Sequence, residues 1–112
     1  MAAQTIDGLW TAEFGSSAGS FGGGIAVFQD GKISGGDGTY FYVGSYQIEG
    51  QVFRATLKVS PFIGGARSVF NTTGPLTLKL SGSFTADGQA IAQGAAEEVP
   101  GTNFAVKLTR RG

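Results

Sequence analysis

The densest cluster of residues able to do chemistry is Gly35-Gly36-Asp37. Glycines of this kind cradle phosphate when a helix starts behind them, because the helix N-terminus supplies free N–H groups. Here Gly38-Thr39-Tyr40-Phe41-Tyr42-Val43 follows, and that reads as a strand. The motif is therefore expected to be a sharp bend in which Asp37 accepts backbone N–H bonds. Gly22-Gly23-Gly24 also runs into a strand pattern and is read as a loop without a nucleotide site. Paired carboxylates for acid–base work would have to share a cleft. Glu97-Glu98 are read as neighbours on a strand, pointing to opposite faces. Asp30, Asp87 and Glu49 fall in turns, and Asp7 precedes the first strand. Histidine and cysteine are absent, which removes the commonest general base, thiolate nucleophiles, disulfides and the commonest zinc ligands. Serine–lysine pairs occur without an activating context. The expectation is a protein that is not an enzyme, with no catalytic residue, metal or cofactor.

The elements that carry these residues are legible from composition and period. The 112 residues fit one domain, 1–112. Eight basic residues balance eight acidic ones, which argues against a nucleic-acid surface. No apolar run is long enough to span a membrane as a helix. The opening Met-Ala-Ala-Gln-Thr-Ile-Asp-Gly lacks a basic region and an apolar stretch, so a cytoplasmic location is expected. Twenty glycines, against nine Phe and 41% hydrophobic residues, point to turns and bends between strands rather than to disorder.

Period-two alternation marks the strands. It is clearest at 52–59, 76–85 and 103–109, where Phe53, Leu57, Leu78, Leu80, Phe104 and Val106 share faces with other apolar residues. Softer patterns cover 8–14, 22–29, 32–37, 39–48 and 89–97, making eight strands in all. Asp30-Gly31 and Asp87-Gly88 are strong hairpin signals, and Glu49-Gly50 is a weaker one. Only 61–75 is long, with room for one helical turn near 66–70. Short connections favour an all-β, eight-stranded, antiparallel up-and-down barrel over a two-sheet sandwich.

The strand faces suggest two kinds of surface. Tyr40, Tyr42, Gly44, Tyr46 and Ile48 share one face and are set inward. Phe41 and Val43 lie on the other, where a subunit interface would bury them. Ala90, Ala92, Gly94 and Ala96 form a stripe of small residues. If that stripe faces inward, it leaves space for a ligand bordered by Trp10, Phe14, Phe53, Leu57, Leu78, Leu80, Phe104 and Val106. The other reading is that large aromatics such as Trp10 and Phe14 fill the gap.

Two stretches resemble known families. Gly8-Leu9-Trp10 is similar to the glycine-x-tryptophan start of lipocalins and other calycin barrels. That resemblance implies that Trp10 closes one barrel end beneath a basic side chain of the last strand, for which Arg110 has the right parity. The longer stretch is Gly24-Ile25-Ala26-Val27-Phe28-Gln29-Asp30-Gly31-Lys32-Ile33-Ser34-Gly35-Gly36-Asp37, followed by Tyr42-Val43-Gly44. It resembles the GrlR-like family of negative regulators of type III secretion, and Arg67-Ser68-Val69-Phe70 extends the likeness. The resemblance covers about 8–84. It implies a small, dimeric, lipocalin-like barrel that binds a helix-turn-helix transcriptional activator through a Glu/Asp run. That run corresponds to Gln47-Ile48-Glu49-Gly50-Gln51, where Glu49 is the acidic residue. The leading expectation is therefore a homodimeric, protein-binding regulatory barrel. The alternative is a carrier or sensor of one small hydrophobic, lipid-like ligand in the barrel interior.

Overall fold

The structure is a computed structural model. It describes residues 6–112 apart from 18, 20, 66, 67, 69–73 and 87, and of residue 86 the backbone alone. Eight strands follow one another: β1 (Gly8–Ser16), β2 (Phe21–Gln29), β3 (Lys32–Gly36), β4 (Tyr40–Glu49), β5 (Val52–Pro61), β6 (Leu76–Ala86), β7 (Gln89–Ala96) and β8 (Asn103–Arg110). Each pairs antiparallel with the next, and β8 returns to β1 to close the barrel. The closing seam runs from Trp10 opposite Arg110 to Ser16 opposite Phe104. Closure gives every strand a neighbour on both sides, so none is an edge strand.

Local chemistry sets the hairpins. Asp30 and Gly31 both take positive φ, 51° and 82°. That is the two-residue type I′ geometry, whose twist matches the strands it joins. Gly50 and Gly88 also take positive φ, 63° and 73°. Gly50-Gln51 forms the β4–β5 loop, because Glu49 is still paired with Val52. These three tight turns lie at one end of the barrel. The connections 17–20, 37–39, 62–75 and 97–102 lie at the other.

The alternation of the sequence becomes an inside and an outside. Along β8, Phe104, Val106 and Leu108 are buried while Asn103, Ala105 and Lys107 are exposed. Tyr40 and Tyr42 point inward and Phe41 and Val43 outward. The small-residue stripe of β7 faces inward, with Ala90, Ala92 and Ala96 buried. No buried polar or charged residue occurs among the described ones.

Three expectations need correction. Gly22-Gly23-Gly24 is part of β2, paired with Phe14, Glu13 and Ala12, and is not a loop. A Cβ at Gly22 would meet the Phe14 ring at 2.7 Å and one at Gly24 the Tyr42 hydroxyl at 2.7 Å, so missing side chains make room for aromatic neighbours. Glu97 and Glu98 lie beyond β7, which stops at Ala96. Each reaches back to β6: Glu97 pairs with Lys79 at 2.8 Å, and Glu98 accepts from the Thr77 N–H and hydroxyl at 2.7 and 3.0 Å. Asp37 likewise follows β3 rather than ending it. The helical turn expected near 66–70 lies outside the described residues except for Ser68, which is not helical.

Candidate ligand cavity

The end with the tight hairpins is sealed. Trp10 is almost wholly buried and its indole N–H donates to the carbonyl of Ile6, itself buried, at 2.8 Å. Phe28 packs edge-on against Trp10 at 6.1 Å and against Tyr46 at 5.3 Å. The Arg110 guanidinium lies 5.4 Å from the centre of the Trp10 ring and donates to the Asp7 carbonyl. Tyr46 donates to the Asp7 carboxylate at 2.7 Å. Trp10 and Arg110 thus close one barrel end, the geometry expected of them.

Beyond that plug the interior opens into a cavity of about 360 Å³. The size is within the range of small-molecule sites. Phe14, Phe53, Leu57, Leu78, Leu80, Phe104 and Val106 line it, as expected. Trp10 does not: it belongs to the plug. Phe28, Ile33, Tyr40, Tyr42 and Ala55 also line it. Their inward parity was the available signal. β7 contributes no lining residue, so the small-residue stripe does not create the space. There the walls close up instead: a Cβ at Gly82 would sit 2.7 Å from the Cβ of Ala92. The small residues let β6 and β7 pack tightly, and the cavity lies toward the other strands.

The mouth is at the long-loop end, where Phe21, Gly22, Asp37, Gly38, Thr39 and Ser68 border it. Phe21 is 84% exposed at this rim. Asp37 organises the β3–β4 turn. Its Oδ1 accepts from the Thr39 N–H at 2.9 Å, the Tyr40 N–H at 2.8 Å and the Thr39 hydroxyl at 3.3 Å. Its Oδ2 accepts from the Tyr42 hydroxyl at 2.5 Å. The expected bend, with Asp37 capturing backbone donors, is what the motif builds. The glycines of the motif allow close approach, since a Cβ at Gly35 or Gly44 would land on the Ile25 or the Thr56 carbonyl.

Burial pushes the Asp37 carboxyl up, but the bonds from Tyr42, Thr39 and Tyr40 outweigh it and hold the group below the usual carboxylate range. Burial, then the Asp37 bond and charge, push the Tyr42 hydroxyl well above its ordinary value. The two shifts run in opposite directions, favouring an ionised Asp37 beside a protonated Tyr42. Among the described residues no group of three or more His, Cys, Asp or Glu is placed to hold a metal ion.

Outside the barrel, Phe41 and Val43 are 45% and 56% exposed. The register sets Ile25, Gly36 and Phe41 in one row and Leu9, Val27, Ser34 and Val43 in the next. An apolar strip therefore crosses β1 to β4. Glu49 ends β4 at the sealed end, where it pairs with Arg54 at 3.1 Å, both side chains exposed.

The fold and its interior define a closed, eight-stranded antiparallel barrel with an apolar cavity. Among solved structures, a redesigned beta barrel superposes on 96% of this chain and 92% of its own, with a TM-score of 0.67 and 14% sequence identity, a likeness of fold alone. No protein-family model matches the chain, and no curated protein matches it.

Proposed function

We propose that this chain is a non-enzymatic binding barrel that takes one small apolar molecule into its interior. The cavity carries the proposal: about 360 Å³ of space, bordered mostly by aromatic and aliphatic side chains. Burying an apolar ligand there gains about 25 cal/mol per Å² removed from water. Octanol followed by NMR tests it. The expected result is saturable one-to-one binding with shifts at Leu57, Val59 and Leu78, weakened by Ala55→Leu, which pushes carbon into the cavity. Absence of saturation, or binding indifferent to Ala55→Leu, overturns it.

The exposed strip of Phe41, Val43 and Ile25 favours a second, compatible reading. In it the barrel is a GrlR-like cytoplasmic regulator that works by protein contact, first as a homodimer through this strip, then with a transcriptional activator. Support comes from the Gly35-Gly36-Asp37 and Tyr42-x-Gly44 motif, which shapes the turn behind the strip, and from a net charge of zero, which offers little resistance to self-association. Sedimentation should show a dimer at micromolar concentration and a monomer for the Phe41→Ser, Val43→Ser double variant. A monomeric parent chain would remove the dimer.

A further inference from the structure

We infer that the cavity is matched to an amphiphile with a cationic, hydrogen-donating head, of the primary aliphatic amine class, and set against a carboxylate head. This rests on the cavity reading above and specifies its ligand. Asp37, at the mouth, is the only charged group among the described lining residues, and no lysine or arginine is among them. The ion pairs found among the described residues are Arg54 with Glu49 and Lys79 with Glu97, so none of them neutralises Asp37.

The hydrogen bonds give the mouth its polarity. A carboxylate has about four acceptor positions on its two oxygens. Three donors of the turn converge on Oδ1, while among the described residues Oδ2 takes only the Tyr42 hydroxyl and keeps a position open. The hydroxyls of Thr39 and Tyr42 both donate to Asp37, so toward a ligand they present lone pairs. An ammonium head has three donors and no acceptor, and it complements such a rim. A carboxylate head would bring a second negative charge beside Asp37 and find those hydroxyl protons already engaged. The space holds about a dozen heavy atoms at the ~30 Å³ a water occupies in the liquid, which suits a chain of modest length.

Octylamine, octanol and octanoate share the chain and differ in the head, so calorimetry at neutral pH separates the terms. Octylamine should bind about tenfold more tightly than octanoate, the scale of one charge-assisted bond at a partly wet site. Asp37→Asn should abolish that preference, lowering octylamine affinity about tenfold more than octanol affinity. In the parent chain, added salt should shrink the preference without weakening octanol. Equal affinities, or tighter octanoate, overturn the head-group inference and leave the apolar cavity standing. Loss of octanol binding in Asp37→Asn equal to the loss of octylamine marks Asp37 as a fold residue and overturns it too. Failure of all three probes overturns both readings.

Discussion

Asp37 and Tyr42 hold each other in opposite protonation states, and this couples stability to pH at both extremes. Folding favours ionised Asp37, whose pKa is lowered in the barrel. Its contribution is whole above the unfolded carboxylate value, about 3.9, and drains away as pH falls through the lower folded value. Tyr42 is shifted the other way, so its contribution is whole below about pH 10 and drains as pH rises further. Urea midpoints of the parent chain should therefore fall more steeply below about pH 4 than those of Asp37→Asn, and more steeply above about pH 10 than those of Tyr42→Phe. Parallel curves would show that the bond does not couple to folding. Tyr42→Phe should cost about 1–3 kcal/mol at neutral pH by leaving Oδ2 without its protein donor. At the sealed end, the Arg110 Nε is buried without a hydrogen-bond partner among the described residues, with the Trp10 ring nearby. Arg110→Ala should cost about 0.5–2 kcal/mol in chemical denaturation. Arg110→Lys should not recover it fully, since a lysine lacks the planar face that stacks on indole.

At the level of strands, the eight expected segments each match an observed one to within two residues at either end. Alternation fixes which residues face inward, and hairpin residues with positive φ fix where strands stop, so both were legible. Curvature was not. Period two says that Gly94 points inward but not that a Cβ there would fall on the Lys79 carbonyl. That approach follows from how sharply β6 and β7 coil around the barrel. It also explains why the stripe of small residues, which admits a hollow on paper, gives a tight wall instead. The cavity instead depends on how Phe14, Phe53 and Leu57 sit around a closed ring, a three-dimensional quantity with no local pattern. Gly94→Ala should therefore destabilise the barrel by about 3 kcal/mol, at the upper end of overpacking costs. Gly38→Ala, where an added Cβ meets nothing within 4 Å and φ is ordinary, should be neutral or stabilising by up to about 1 kcal/mol. Equal effects in thermal denaturation would refute the assignment of Gly94 to curvature.

Across the whole molecule, the two ends differ in construction. One end has two-residue hairpins, the buried Trp10 and Ile6, and Arg110 laid over the indole. The other has the longer connections, an exposed Phe21 and the mouth of the cavity. Every neighbouring pair of strands is joined by one connection except β1 and β8, whose pairing closes the ring. That seam spans both ends, with Trp10 opposite Arg110 at the plug and Ser16 opposite Phe104 near the mouth. Opening at the mouth should then be a local, low-cost fluctuation, while separation at the plug requires global unfolding. Amide hydrogen exchange should show strongest protection at Trp10, Phe28 and Phe53 and weaker protection at Phe14, Tyr40 and Leu76. Under the proposed binding, saturating octanol should stabilise the barrel by RT ln(1 + [L]/Kd). The gain should be visible first at the mouth residues, where exchange proceeds through openings that release the ligand. Protection that is uniform along the strands, or a gain confined to the plug, would mean that ligands do not enter through the end bordered by Asp37.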